Sequence, residues 1–201
     1  MTPAASLERG VAELGLELPS GSRDRLLQYL ELLAKWNRTY NLTAVREPRA
    51  MVSLHLLDSL VVIPHLPMQD GALADVGSGA GLPGIPLAIA QPQWHITLND
   101  ASEKKAAFLR QAVMELGLRN VAVHQGRVEA WRPASRFAVV ISRAFAQLAR
   151  FIASCRHLVR PGGVLAAMTG AAPADAGGEV IALRVPLLNA ARHLVLYRME
   201  S

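Results

Sequence analysis

Apolar residues recur at helical spacing at Leu26, Leu27, Leu30, Leu33 and Ala34, behind Ser22 as a cap, and predict an amphipathic helix from Ser22 to about Trp36. The polar stretch from Asn37 to Val45 reads as a loop. Pro48 suits the first turn of another helix, which runs through Met51, His55 and Ser59 to about Ile63, ahead of Pro64. From Ala72 the pattern changes to short apolar runs alternating with helical stretches. Ala72 to Val76, Trp94 to Leu98, Val121 to His124, Phe137 to Ile141 and Val164 to Ala167 read as strands. Pro83 to Gln91, Ser102 to Leu116 and Gln147 to Val159 supply the helical crossovers that parallel strands require. Between Val180 to Val185 and His193 to Tyr197 there is no room for a helix, so these two runs should form an antiparallel pair closing the sheet. The pattern predicts an α/β chain: a helical extension over 1–66 and a mostly parallel, Rossmann-like sheet domain over 67–201.

Composition narrows the class. With 201 residues, 51% hydrophobic, 18% charged and a single cysteine, the chain is globular and has no disulfide framework; one thiol fits a reducing compartment. Glu8 and Arg9 interrupt the start, and His55, Asp58, Pro64 and His65 interrupt the most apolar stretch, so neither a secretory signal nor a membrane span is expected, and cytoplasm is the expected location. The net charge of +5 conceals a division. Residues 1–103 hold 7 basic and 11 acidic side chains and residues 104–201 hold 14 and 5, so the two parts carry −4 and +9. Between Arg119 and Arg160 eight arginines face one acid, Glu129, a surplus that draws a polyanion through counterion release or else reflects a general preference for arginine.

The segment Asp75-Val76-Gly77-Ser78-Gly79-Ala80-Gly81-Leu82-Pro83-Gly84 joins the first strand to the first crossover helix, where open α/β sheets bind ligands. Glycines there turn the chain sharply and bring backbone N–H groups against a ligand, and the helix N-terminus favours an anionic group. Asn99 and Asp100 close the second strand about 20 residues on, where a carboxylate can accept hydrogen bonds from ribose hydroxyls. Gly79 to Gly84 literally matches the dinucleotide pattern GxGxxG, which keeps a nicotinamide-dependent oxidoreductase in view. The frame argues against it: the turn after the strand falls to Gly77, and the window Gly77 to Leu82 ends in a bulky leucine. Asp75 would repel a pyrophosphate but could accept from the amino group of an aminoacyl ligand such as S-adenosylmethionine, directly or through water. A non-catalytic RNA-binding module on a Rossmann-like fold is a third reading.

These residues, in this order, resemble the RsmG family, also called glucose-inhibited division protein B, of S-adenosylmethionine-dependent 16S ribosomal RNA guanine-N7 methyltransferases. Besides Asp75 to Ala88, the resemblance rests on Trp36 to Thr43, His55 to Ser59, Lys104-Lys105 with Phe108-Leu109, Arg127-Val128-Glu129, Ser142-Arg143-Ala144 and Arg192-His193-Leu194. It implies a class I methyltransferase fold with a seven-stranded sheet behind the helical extension, and 16S RNA, free or in the small subunit, as the partner. It implies Asp75, Gly77, Ser78, Gly79, Gly81 and Leu82 in the loop around the methionine end of the cofactor, Asp100 on the ribose, and Val128 and Glu129 beside the adenine. Arg127, Arg143 and Arg192 become the candidates for holding RNA or the target base. Two positions depart from the family pattern: Leu54 stands in place of an arginine, and Met168-Thr169-Gly170 in place of Leu-Lys-Gly.

The residue types suit that chemistry. Guanine N7 has a lone pair and no proton, so it can attack a sulfonium methyl without a general base, and orientation in a dry site is what the protein must supply. Cys155 sits at helical spacing between Ile152 and Val159 and reads as a buried thiol rather than a nucleophile. Phe145 is suited equally to stacking on a base or packing, and Trp36 to an RNA-stacking edge or, more often for such a residue, to packing. His55 and Asp58, at i and i+3, share a helical face; spacing alone favours a satisfied surface pair over a polar pair beneath the cofactor. The dispersed histidines form no metal-ligand set.

Overall fold

The computed structural model describes residues 1–68, 71–143, 148–173 and 177–200. Seven strands form one sheet: β1 (Gly71–Val76), β2 (Trp94–Asp100), β3 (Val121–Gln125), β4 (Phe137–Arg143), β5 (Val159–Thr169), β6 (Glu179–Leu183) and β7 (Arg192–Arg198). Their order is β3-β2-β1-β4-β5-β7-β6. The first five are parallel, and β7 is antiparallel to both β5 and β6, as the short connection required. The order reverses between β1 and β4, the position at which open α/β sheets form a ligand crevice beyond the carboxyl ends of their strands.

Helices α5 (Gly84–Ala90), α6 (Glu103–Glu115) and α7 (Leu148–Cys155) are the crossover elements. With both faces of the sheet covered, β4 is buried over six consecutive residues, the first five of which form an unbroken apolar run rather than an alternating one. Strand β5 starts five residues earlier than its apolar core suggests. Phe137 pairs with Val159 but Val139 pairs with Val164, so an irregularity absorbs Pro161-Gly162-Gly163 within the strand. Gln147, the expected start of the last crossover, and Phe145 lie outside the described residues.

The extension contains α1 (Pro3–Glu13), α2 (Ser22–Tyr40), α3 (Pro48–Met51), a π-helical segment (Val52–Leu57) and α4 (Asp58–Leu60). Only Leu7 and Val11 of α1 are large buried apolar side chains, too few to stand out as a periodic pattern. Gly10 lets α1 lie directly on the π-helical segment, because a side chain there would meet Leu57. Helix α2 runs four residues past Trp36 and ends where Asn41 takes left-handed backbone (φ 50°). Its apolar face, Leu26, Tyr29, Leu30 and Leu33, is buried in the same cluster as Leu73, Ile85, Leu98 and Phe108 of the sheet domain. Each such leucine stabilises the contact by roughly 1.5–3 kcal/mol. The extension therefore helps to fix the geometry beyond the strand ends rather than hanging from them.

Candidate active site

The loop after β1 is built on buried polar contacts. Asp75 is fully buried beneath it, and its Oδ2 accepts from the Gly84 N–H at 2.9 Å. A side chain at Gly84 would strike Leu98 and Asp75, so this glycine lets α5 begin against the carboxylate. Gly77, Gly79 and Gly81 have φ of 70°, 58° and 86°, which only glycine adopts freely. Ser78 ties the turn together, its hydroxyl donating to the Asp75 carbonyl at 2.8 Å and its N–H to the Asn99 carbonyl at 2.9 Å. Leu82 is buried, behind the loop.

Burial pushes the Asp75 carboxyl up to about 7, against the opposing pull of the Gly84 N–H. Its Oδ1 is buried and has no hydrogen-bond partner among the described residues. Asp100 closes the other side, accepting from the Gly79 N–H at 3.0 Å and the Ser102 N–H at 2.8 Å, with Lys105 Nζ at 3.9 Å. Asn99 donates to the carbonyls of His124 and Gly126 and so draws the end of β3 toward the same rim. Val128 is buried just beyond it, in a one-turn 3₁₀ helix (Val128–Ala130), while Glu129 is exposed and accepts from Ser154 at 3.3 Å.

Beside this loop, across β4, a cavity of about 630 Å³ is lined by residues that include Leu54, His55, Asp58, Arg143, Thr169 and Arg192. Arg143 ends β4 and Arg192 begins β7, and the two guanidinium groups converge on one carboxylate from the extension. Arg143 Nη1 donates to Asp58 Oδ2 at 3.1 Å and to the Leu54 carbonyl at 2.8 Å; Arg192 Nε donates to Asp58 Oδ1 at 2.9 Å. Ser142 Oγ donates to the Val76 carbonyl at 2.8 Å, joining the end of β4 to the root of the glycine loop. Arg127 does not join them. It is exposed, precedes the Val128 turn, and its side chain makes no hydrogen bond or ion pair among the described residues.

Other expectations resolve against the packing. His55 and Asp58 are not a surface pair: both are buried, because the π-helical segment turns them inward beneath the cavity. His55 Nε2 shares a hydrogen bond with Thr43 Oγ1 at 2.9 Å, and burial, followed by the Arg143 charge, lowers its pKa to about 4. Trp36 stacks on Tyr40 and leans on Phe108 in the core. Cys155 is buried, and burial pushes its thiol up to about 12. Thr169, in the family's lysine position, donates to the Ala171 carbonyl at 2.9 Å at the cavity rim.

Sequence reasoning did not find the Leu54 carbonyl, the role of Asp58 as a shared acceptor, or Tyr29, whose hydroxyl reaches the Ala80 carbonyl at 2.6 Å. The only available signal for Tyr29 was a polar tip on an otherwise leucine-rich face. Among the described residues no three His, Cys, Asp or Glu side chains gather as a metal site, and no helix is long and apolar enough to cross a membrane.

Comparison with known proteins supplies the family and the fold. Residues 22–180 match the family of rRNA small subunit methyltransferase G. A ribosomal RNA small subunit methyltransferase G of Methylobacillus flagellatus is 52% identical over 196 residues, covering 94% of this chain and 95% of that protein. That of Burkholderia pseudomallei is 49% identical over 215 residues, covering 100% and 93%. Among solved structures, a putative S-adenosyl-L-methionine-dependent methyltransferase from Methanococcus maripaludis superimposes with a TM-score of 0.53 at 16% identity, covering 70% of this chain and 62% of that one. The glycopeptide N-methyltransferase MtfA complexed with sinefungin gives 0.51 at 18%, covering 73% and 67%. These two share the class I methyltransferase fold with this chain. The family match spans most of the molecule, including the glycine loop, Asp58 and Arg143, and the chain belongs to the rRNA small subunit methyltransferase G family.

Proposed function

We propose that this protein is an S-adenosylmethionine-dependent methyltransferase that modifies N7 of one guanosine in 16S ribosomal RNA, free or within the small subunit or an assembly intermediate, in the cytoplasm. The observation that carries the reading is the adjacency of two unlike sites: a glycine loop between two acids, and a cavity holding Arg143 and Arg192 on Asp58. The first fits the cofactor. Asp75 Oδ1 is a buried acceptor without a protein donor, suited to an amino group, and the Asp100 carboxylate stands at the end of β2, where ribose hydroxyls are bound in this architecture. Gly77, Ser78, Gly79, Gly81 and Leu82 would surround the methionine end, and Val128 and Glu129 the adenine. When bound, S-adenosylmethionine supplies an electrophilic methyl group on a sulfonium sulfur.

The chain's own residues then bind, orient and exclude water. Arg143 and Arg192 each keep N–H donors beyond those given to Asp58, Leu54 and Ala191, and these can meet guanine O6 or a phosphate. Exposed Arg127 suits a phosphate contact. No side chain needs to accept a proton from N7, in keeping with a site whose histidine, His55, is buried, weakly basic and held by Thr43. Arg192, at the same rim as Thr169, supplies the positive charge that the absent lysine would have carried. The helical extension, 1–66, contributes Asp58 and Leu54; the methyltransferase domain, 67–201, contributes the rest. An oxidoreductase reading finds no support, since the Asp75 carboxylate lies beneath the loop where a pyrophosphate would sit.

Calorimetry with S-adenosylmethionine, its demethylated product, NAD and NADP should show binding of the first two only. Labelled donor with 16S RNA, naked and in the small subunit, should yield one 7-methylguanosine, mapped by reduction and aniline cleavage. Label at an exocyclic amine or pyrimidine carbon, with no cleavable purine, overturns the N7 assignment.

A further inference from the structure

The fold sorts the arginine-rich stretch between Arg119 and Arg160 into different places. Arg143 enters the cavity beside the glycine loop. Arg136, Arg156 and Arg160 instead meet Arg198 around a second cavity of about 630 Å³, also lined by His157, Pro161 and Glu200. This lies at the other end of the sheet: Arg136 immediately precedes β4, Arg160 is the second residue of β5, and Arg198, at the end of antiparallel β7, pairs with Val164. The seven residues of β4 separate it from Arg143 by about 20 Å.

All four arginines are exposed. Arg198 is paired with Glu179 at 3.5 Å, whereas the guanidinium groups of Arg136, Arg156 and Arg160 make no hydrogen bond or ion pair among the described residues. Four permanent charges thus stand around one concavity with two acids, Glu179 and Glu200, nearby. Their setting is firm. The Met199 N–H donates to the Gly163 carbonyl at 2.8 Å and the Gly162 N–H to the Glu200 carbonyl at 3.4 Å, while Gly163 fits so closely that a side chain would strike the Ala138 and Arg160 carbonyls. The apolar side chains that line it are buried Val159 and half-buried Met199, beside Pro161, and none of the large exposed hydrophobic residues among those described lies there, so it lacks the exposed apolar anchors of a protein interface or a membrane surface.

We propose that Arg136, Arg156, Arg160 and Arg198 form a second docking surface for the phosphate backbone of the RNA substrate, gripping a segment distinct from the one that carries the target base. This rests on the reading of the substrate as ribosomal RNA and adds to it a site that no step of methyl transfer uses. Guanidinium groups match phosphate oxygens in pairs and carry no sequence information, so the surface sets affinity and orientation while the other cavity selects the base.

The test compares the wild-type chain with the triple variant Arg136→Gln, Arg156→Gln, Arg160→Gln, and with a control that loses the same charge from exposed positions of the extension, Arg23→Gln, Arg25→Gln, Arg49→Gln. Filter binding of full-length 16S RNA transcript between 50 and 200 mM KCl should show the log–log salt slope of the first variant reduced by about 2 to 3, and that of the control little changed. In methyl transfer, KM for RNA should rise roughly tenfold with kcat and S-adenosylmethionine affinity unchanged. An unaltered slope in the first variant overturns the proposal, as does an equal loss in both variants, which would mark a general charge effect. If the wild-type chain binds 16S RNA but transfers no methyl group, the proposed reaction falls while the binding comparison still decides the docking surface; if it binds no RNA, both fall.

Discussion

The Tyr29 hydroxyl, fully buried on α2, donates to the carbonyl of Ala80 at the crown of the glycine loop, 2.6 Å away and 51 residues along the chain. Burial pushes the phenol pKa upward, so it remains a donor at every accessible pH. A helix of the extension thereby braces the loop that is to hold the cofactor. Replacing Tyr29 by Phe keeps the packing and orphans a buried carbonyl, at a cost of about 1–3 kcal/mol. The expected outcome is a melting temperature lower by roughly 2–10 °C and weaker S-adenosylmethionine binding, read by calorimetry. A variant that melts lower but binds the cofactor normally would show that the bond serves the fold alone.

Asp100 accepts from the Gly79 and Ser102 N–H groups, and on the proposed function it also receives the ribose hydroxyls. Asp100→Ala should therefore weaken cofactor affinity by about 1–3 kcal/mol and Asp100→Asn by less, since the amide keeps one acceptor. Equal affinity for Asp100→Ala and wild type would remove Asp100 from the cofactor site.

The parts of this molecule that sequence alone made legible are those with a local signature. Strand β4 announces itself by five buried apolar residues in a row, and the glycine loop by residue types that only a tight turn explains. What stayed hidden depends on contacts between distant segments. His55 and Asp58 look like an ordinary i, i+3 surface pair until the π-helical segment and Arg143, 85 residues beyond Asp58, bury them. Arg127 and Arg143 read alike as arginines after strands, yet only Arg143 shares a cavity with Arg192, because strand order places β4 and not β3 beside β5, which pairs in turn with β7. The basic cavity at the opposite end is invisible for the same reason: Arg136, Arg160 and Arg198 are neighbours only through the pairing of β4, β5 and β7.

Asp75 and His55 should make opposite contributions to the dependence of stability on pH. Asp75, raised to about 7, keeps its proton in the folded state only below that pH; its contribution is full below about pH 4 and is lost as pH rises through about 7. His55, lowered to about 4, favours the folded state above about pH 6.5, an advantage lost as pH falls toward 4. Between about pH 4.5 and 6.5 the two slopes oppose each other. In urea melts over that range, Asp75→Asn should gain stability relative to wild type by up to about 1.4 kcal/mol per unit of rising pH, and His55→Gln should lose a similar amount. Differences from wild type that stay constant with pH would refute both assignments.

Asp58 should be required for the arginine pair to act as a pair. Its carboxylate, 5% exposed, is the shared acceptor for Arg143 and Arg192, whose side chains are 24% and 23% exposed. Arg143→Ala removes donors that, on the proposed function, meet the target base, and should slow methyl transfer severely while leaving cofactor binding nearly intact. Asp58→Asn leaves both arginines in place but removes the charge that holds two like charges on one cavity wall, so the guanidinium groups should separate and lose their common orientation. The carboxylate itself does not lie among the loop residues assigned to the cofactor, and its loss adds net positive charge, which by itself would strengthen RNA binding. The two effects therefore part in the kinetics: kcat should fall about 10- to 100-fold, in keeping with a misplaced catalytic constellation, while KM for RNA stays level or drops. Restoring a carboxylate one methylene longer with Asp58→Glu should recover part of kcat if orientation is the cause. Steady-state kinetics on 16S RNA with labelled donor decide the matter: an Asp58→Asn enzyme with normal kcat would show that Arg143 and Arg192 find their working positions without it, and the extension would then owe its place at the cavity to packing alone.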